Sequence, residues 1–177
     1  MVTGLAGLAL VAGLAAPARA EDTGTTIVTF SVTGAGGLDI TVPASANLGS
    51  GTAGTTVSGQ LGPITVIDQR ASLTPNWTAT VTGSDFTTGA ATAEETIPAI
   101  NVLYWSGPAT ATAGTGTFTL GQANAGAAVI INVPRTAFSH TGGTGSNFAT
   151  WNPTLAVAIP PDAVGGTYTG TVTHSVL

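Results

Sequence analysis

The sequence predicts an all-β protein, folded as a single antiparallel β-sandwich of the Ig-like or jelly-roll-like kind. Apolar and polar residues alternate with a period of two in many short segments, which is the pattern of half-buried strands. Clusters of Gly, Pro, Ser and Asn separate these segments and predict turns. No window sustains a helical period with caps. Many short strands without helices bury their inner faces when two sheets pack together.

The C-terminal segment shows this alternation most clearly. Between residues 167 and 175, every second residue is Thr or Ser, whereas Tyr168, Val172 and His174 lie on the opposite face. Residues 90–95 allow one turn of helix at most. The other strands are predicted, in chain order, at residues 27–32, 38–42, 64–67, 77–81, 100–105, 117–120, 128–133 and 154–159.

The N-terminus predicts export from a bacterial cell. An apolar run over residues 5–16 is followed by Pro17 and by Ala18-Arg19-Ala20, which fits the cleavage rule of a secretory signal peptide. We therefore expect a signal peptide at residues 1–20 and one β-sandwich domain at residues 21–177. No later segment is apolar and long enough to predict a transmembrane helix.

Charge and cysteine content exclude several classes of function. The whole chain has 3 Lys and Arg residues against 8 Asp and Glu, and it has no cysteine. Binding to nucleic acid or to anionic lipid needs clustered basic residues, so neither is expected. Without disulfides, packing and backbone hydrogen bonds must hold the fold together.

The residues available for catalysis are few. His140 and His174 are the only histidines, and no G-x-S-x-G motif is present. We interpret His174, on the apolar face of the last strand, as a core or edge histidine with one satisfied nitrogen. The acids are scattered, apart from Glu94 and Glu95 in a polar loop, and no calcium or zinc spacing occurs. We therefore expect a protein that is not an enzyme and that uses no metal or cofactor.

One charged pair stands out in this poorly charged chain. Asp68 and Arg70 are two residues apart, so on a strand they share a face and can pair. We predict a structural ion pair at a strand end that fixes the following loop. Arg135, at the end of another segment, could meet Asp68 or Asp85.

The large aromatic residues are candidates for binding a ligand or partner. Trp77 begins a predicted strand, Tyr104 and Trp105 end another, and Trp151 precedes Asn152-Pro153. Exposed aromatics at strand ends would form a platform for carbohydrate or protein, whereas in sandwiches most aromatics anchor the core. For Trp77 the core position is favoured, and for Trp105 and Trp151 both positions stay open.

Two stretches of the chain resemble WxL-domain cell-surface proteins, especially actinobacterial variants. The first runs from Gly62 through Asp68-Gln69-Arg70 and Trp77 to Asp85-Phe86, and the second runs from Trp151 to Thr173. The resemblance implies a secreted β-rich protein that attaches non-covalently to the cell wall through peptidoglycan, often with partner surface proteins. It would make Trp77 and Trp151 the motif tryptophans, although strict Trp-x-Leu spacing occurs at neither residue.

Two functions follow as hypotheses. The first is a secreted or cell-wall-associated, non-catalytic protein that binds the envelope (peptidoglycan) or a partner surface protein. The second is a structural subunit of a surface fibre or layer that assembles through strand edges, because threonine-rich strands with little charge are poorly protected against edge pairing. Both hypotheses place the mature protein outside the cell.

Overall fold

The computed structural model describes residues 26–177. The chain divides into two units, residues 1–31 and 32–177, and the predicted signal peptide lies outside the described residues. Within the described part, the strands are β1 Leu38–Thr41, β2 Thr56–Gln60, β3 Ile64–Ser72, β4 Trp77–Gly83, β5 Phe86–Thr87, β6 Thr96–Ile97, β7 Val102–Trp105, β8 Ala109–Ala113, β9 Thr117–Leu120, β10 Val129–Ile130, β11 Arg135–Thr141, β12 Gly145–Trp151, β13 Thr154–Ala158 and β14 Val172–Val176. Ala99–Asn101 and Ala125–Ala127 form short 3-10 helices.

Three four-stranded antiparallel sheets make up the fold. Sheet A has the order β1-β3-β12-β8, sheet B the order β10-β7-β13-β2, and sheet C the order β14-β4-β11-β9. A two-stranded ribbon of β5 and β6 is added to them. The prediction of an all-β antiparallel sandwich is confirmed.

Sheets A and B are two halves of one layer. Strands β3, β12 and β8 lie side by side in sheet A, and β2, β13 and β7 lie side by side in the same order in sheet B. Three strands of one sheet continue along the chain into a strand of the other. Residues 61–63 separate β2 from β3, residues 152–153 separate β12 from β13, and residues 106–108 separate β7 from β8. Every interruption contains a proline (Pro63, Pro153 and Pro108), and proline cannot donate to a sheet ladder.

Sheet C forms the second layer of the sandwich. The connections β3–β4, β8–β9 and β11–β12 each link a strand of sheet A to one of sheet C. The inner faces meet where the Trp77 indole Nε1 donates to Asn147 Oδ1 at 2.8 Å and where Phe138 stacks on Trp151. Tyr104 of sheet B contacts His174 of sheet C. One hydrophobic core therefore lies between sheet C and the combined A and B layer.

The strand predicted at residues 27–32 is wrong. These residues form no regular secondary structure, and Ile27, Val28, Phe30 and Val32 are 79–91% exposed. Period-two alternation identifies a segment that can become a strand, but a strand also needs a neighbour for its backbone hydrogen bonds. Among residues 26–177, no strand pairs with this segment.

Other predicted elements are confirmed with changed limits. The strand predicted at residues 100–105 begins at Val102, after a short 3-10 helix, and that at residues 128–133 shrinks to β10. The last strand begins at Val172 instead of Thr167, because Thr169 makes only an isolated bridge to Thr87. The single helical turn allowed at residues 90–95 does not form, and turns lie there instead.

Candidate functional site

Three of the four aromatic candidates lie in the core. Trp77, Tyr104 and Trp151 have exposed fractions of 2%, 0% and 0%. In this fold they have almost no surface to offer a ligand, so the core alternative applies to Trp77 and Trp151. Trp105 is half-buried at the end of β7, opposite Thr154, and alone among the four retains surface.

The predicted ion pair of Asp68 and Arg70 is present at the end of sheet A. Arg70 Nε donates to Asp68 Oδ1 at 2.9 Å, and an Arg70 terminal nitrogen donates to Asp68 Oδ2 at 2.7 Å. The same nitrogen donates to the Asn76 carbonyl oxygen at 2.9 Å, which ties the β3–β4 connection to the strand. Arg135 does not reach Asp68 or Asp85: its Nε donates to the Ile130 carbonyl oxygen at 3.0 Å.

Asp68 belongs to a buried polar chain that extends into the core. Its side chain is fully buried, and the hydrogen bonds from Arg70 hold the pKa of its carboxyl below the ordinary value. Asn147 on β12 donates to Asp68 at 3.5 Å and accepts from Trp77 at 2.8 Å. Buried polar groups need hydrogen-bond partners. These hydrogen bonds supply partners for the Trp77 indole nitrogen and the Asp68 carboxylate, so both groups have a structural role.

The two histidines have different surroundings. His140 on β11 is fully buried, and its ring nitrogens contact the carbonyl oxygens of Pro75 and Thr115. It therefore joins the β3–β4 connection to the β8–β9 connection. His174 is only partly buried, and one ring nitrogen has a partner, as predicted.

His174 lies beside a cleft of about 220 Å³ whose lining is part polar and part apolar. Leu48, Leu61, Phe86 and Leu155 are among the apolar residues that line it. Ordinary small-molecule sites measure roughly 300–1,000 Å³. The cleft is therefore large enough for one group of a ligand and too small for a whole cofactor.

A hydrogen-bond chain leads to this cleft. Trp151 Nε1 donates to the Tyr104 hydroxyl at 3.2 Å, because an indole nitrogen can only donate. The same hydroxyl lies 3.3 Å from His174 Nε2, and the tautomer of His174 sets the direction of that hydrogen bond. Burial lowers the pKa of His174 to about 4, so the ring is neutral near pH 7.

The two sides of the sandwich end in different kinds of edge. On one side, β1 lies next to β14, carries the exposed Asp39 and is followed by Pro43. On the other side, among residues 26–177, β8 pairs only with β12, and β9 pairs only with β11. No charged residue occurs from Thr96 to Pro134, so β8 and β9 are both uncharged.

Strand β8 is the more exposed of these two open edges. It reads Ala109-Thr110-Ala111-Thr112-Ala113, and all but Ala109 are exposed. This strand is absent from the predicted ones, although the alternation of Ala and Thr between Pro108 and Gly114 is a period-two signal. Alanine is depleted in strands, so the pattern was not strong enough to predict β8.

Neither a metal site nor a membrane helix occurs in the described part of the chain. No group of three or more His, Cys, Asp or Glu side chains is placed to hold a metal ion there. No helix among residues 26–177 is long and apolar enough to cross a membrane. No protein-family model, curated protein or solved structure matches the chain.

Proposed function

We propose that this protein is a non-catalytic, exported β-sandwich of the bacterial cell surface that binds another surface chain by strand pairing. The observation that carries the proposal is the open, uncharged edge formed by β8 and β9. Natural sheets protect their edges with charges, prolines, bulges or covering segments. The register of β8 against β12 shifts at Thr110, but residues 111–113 of β8 and the whole of β9 keep a regular register. These uncharged stretches of the edge can therefore serve as a template for an added strand.

The side chains available for chemistry agree with a binding role. His140 is enclosed between two backbone carbonyls, Asp68 is held by Arg70, and Asp85 accepts from the Ala99 backbone nitrogen at 2.7 Å. Each of these groups serves the fold, and a catalytic site needs a nucleophile, a base and a cleft brought together. Export remains part of the proposal, and it rests on the predicted signal peptide at residues 1–20.

The resemblance to WxL-domain proteins supports the same location and adds peptidoglycan as an alternative partner. The buried Trp77 and Trp151 would then act by holding the fold, since their rings are enclosed. A glycan or peptide group of the wall would have to use another surface. The cleft beside His174 offers apolar side chains together with Ser45, Thr171 and one neutral imidazole, which suits a small group with both polar and apolar atoms.

Sedimentation with purified cell walls tests the proposal. The mature chain is mixed with walls from a Gram-positive bacterium, before and after protease treatment that removes wall proteins. Strand pairing with a surface protein predicts saturable binding that protease treatment abolishes. It also predicts that Ala111→Lys, which places a charge on β8, weakens binding at least tenfold. Binding that survives both changes would contradict strand pairing and would favour peptidoglycan. No binding to either preparation would overturn the proposal.

The second candidate function is a structural subunit that assembles with copies of itself. The specific observation in its favour is again β8, whose exposed residues include neither a charge nor a proline. Concentration-dependent assembly of the purified chain without walls distinguishes this candidate from binding to a different surface protein.

A further inference from the structure

We infer that residues 28–32 of one copy pair, as an added strand, with the free edge of β9 in a second copy. This pairing deepens the structural-subunit candidate and rests on it, because it identifies both the segment that is donated and the edge that receives it. Two features of the described chain support it together: an exposed segment with a strand pattern, and an uncharged edge that this segment fits.

The donated segment exposes an unusual amount of apolar surface. Val28, Phe30 and Val32 are 79–86% exposed, and apolar residues grouped on a surface mark an interaction site. They alternate with Thr29 and Ser31. In an extended chain the apolar side chains therefore share one face and the hydroxyls share the other. The segment has the pattern of a strand with one face to bury.

Strand β9 is the edge that such a face would cover. Phe118 and Leu120 pack against the core, yet both are only partly buried. Among residues 26–177, β9 pairs with β11 alone and in a regular register. Every second residue of an edge strand turns its backbone N–H and C=O away from the neighbouring strand. Strand β9 can therefore accept another strand, which would also cover Phe118 and Leu120.

The two faces of the segment match the two faces of sheet C. Three outward side chains on adjacent strands of this sheet carry hydroxyls and lie in register: Thr119, Ser139 and Thr78. An added strand that turns its apolar residues inward would extend this row with Thr29 or Ser31. Strand β8 fits the segment less well, because its Thr112 lies opposite the buried Ala149 and therefore faces inward.

The chain between Val32 and β1 is too short for pairing within one molecule. The Gly37 carbonyl oxygen accepts from the Gln69 backbone nitrogen at 2.9 Å, which fixes Gly37 beside β3. A strand added beyond β9 would lie four strand spacings, about 19 Å, from β14, which lies next to β1. From Gly37 back to Val32 the chain extends at most about 18 Å. The separation of the two layers, about 10 Å, lengthens the path further. The acceptor is therefore β9 of a second copy.

The contact is directional, because the donated segment and the receiving edge are different surfaces. Such a heterologous contact continues from copy to copy as an open chain, or closes as a ring. Stable interfaces bury about 1,200–2,000 Å², and one short added strand buries less. We therefore expect weak head-to-tail oligomers that grow beyond dimers as the protein concentration rises.

A matched pair of charged variants of the chain from residue 21 to residue 177 tests which face of the segment is buried. Phe30→Lys and Ser31→Lys place the same charge on adjacent residues, the first on the inward face and the second on the outward face. Because a charge that faces the core is costly, Phe30→Lys should weaken association by about tenfold or more in sedimentation velocity. Ser31→Lys should weaken it by less than about threefold. Both residues are exposed, so both variants should keep the circular dichroism spectrum of the unmodified chain.

Cysteine cross-linking tests the contact itself, because the chain has no cysteine of its own. Residues directly opposite each other in paired strands have Cα atoms about 4.5–5.5 Å apart, within the span of a disulfide. Under mild oxidation, Thr119→Cys on the outer face of β9 should form mixed dimers with Thr29→Cys or with Ser31→Cys. Phe30→Cys, whose side chain would face inward, is the matched control and should form few.

The inference is overturned if Phe30→Lys associates as strongly as Ser31→Lys, or if Phe30→Cys cross-links to Thr119→Cys as readily as both neighbouring variants do. A disulfide that closes within a monomer carrying both Thr29→Cys and Thr119→Cys would also overturn it. A chain that stays monomeric at every concentration, yet binds walls in a protease-sensitive way, would overturn self-assembly while supporting strand pairing with another protein. Oligomers that Phe30→Lys abolishes, without binding to walls, would support the inference and leave wall binding without support.

Discussion

The two sides of this sandwich are built from similar short strands, but they end differently. On the β1 side, an exposed acid, a following proline and the neighbouring β14 protect the edge. Nearby, Leu48 lies over one face of β2, because a Cβ added at Gly59 would meet the Leu48 side chain at 3.3 Å. On the β8 side, β8 and β9 contain only Ala, Thr, Phe and Leu, and within residues 26–177 neither strand has a charged residue or a second neighbouring strand.

The comparison of the β1 side with the β8 side shows that the low charge of the whole chain does not by itself explain why β8 and β9 are uncharged. The chain has few charged residues anywhere, yet Asp39 and the pair of Asp68 and Arg70 all lie on β1 or β3. Leu38 of β1 lies directly opposite Asp68, so the ion pair and the protected edge are neighbours. The charges of sheet A are therefore concentrated on β1 and β3, away from β8.

The largest loss of stability is expected on substitution of Trp151, which lies in the hydrophobic core between the two edges. Trp151 pairs with Ile64 of β3 and with Ala109 of β8, and its side chain is fully buried. Trp151→Ala should lower the free energy of unfolding by about 3–5 kcal/mol, measured by urea denaturation. Trp105→Ala, at a half-buried site, is the control and should cost less than half as much. Equal losses would show that the core does not centre on Trp151.

The next effect concerns the ion pair on the protected side. Arg70→Gln leaves the fully buried Asp68 carboxylate without its charged partner and should cost about 3 kcal/mol. Asp68→Asn removes the buried charge itself and should cost about 1 kcal/mol, because Arg70 is partly exposed and can be hydrated. Urea denaturation at pH 7 measures both. A larger loss for Asp68→Asn would contradict this order.

The pair of Asp68 and Arg70 also makes the free energy of unfolding depend on pH under acidic conditions. The pKa of Asp68 is lowered in the folded state. The stabilisation by its carboxylate is therefore present above the unfolded pKa of about 4 and is lost as the pH falls further. Arg70→Gln should flatten this loss below pH 4.

A smaller effect is expected from His174, also on the protected side. Its folded pKa is lowered to about 4 by burial, below the unfolded value of about 6.5. Stability is therefore complete above pH 6.5 and should fall by about 2 kcal/mol between pH 6.5 and pH 4, because the unfolded chain takes up the proton first. Denaturation curves across this range measure the slope, and His174→Gln should remove most of it. An unchanged slope in the variant would assign the effect to another group.

The smallest effect tests what protects the β1 side. Asp39→Asn removes the exposed charge of β1 and should change stability by no more than about 0.5 kcal/mol. If β14 protects this edge, the variant should associate no more than the unmodified chain does in analytical ultracentrifugation. New association would show that the charge of Asp39 is the protection.

The sequence predicted several strands whose inward residues are mostly apolar. Strand β4 alternates Trp77, Ala79 and Val81 inward, and it was predicted with its correct start. Strands β11 and β12 were missed because His140 and Asn147 face inward and interrupt the apolar alternation. The strand predicted at residues 64–67 ends too early for a related reason. Asp68 is charged and would be expected on the surface, but in the structure it is buried and β3 continues to Ser72.

The candidate site was predictable only in part. The spacing of Asp68 and Arg70 was enough to predict their pairing, because residues two apart on a strand share a face. Which tryptophans are buried depends on contacts between distant strands, such as that of Trp77 with Asn147, 70 residues away. The open edge depends on sheet order, and no local pattern determines which strand has a neighbour on only one side.

The scarcity of basic residues has a further consequence for how this protein meets proteases. Within residues 26–177 a trypsin-like enzyme can cut only after Arg70 and Arg135. The bond after Arg135 lies at the start of β11, where Arg135 pairs with Val81 of β4. The bond after Arg70 lies in the exposed end of β3, where the register against β12 shifts. Cleavage after Arg135 thus has to wait for the sheet to open, so its rate measures unfolding. In a protease-rich environment, the exposed end of β3 would be the first place to be cut.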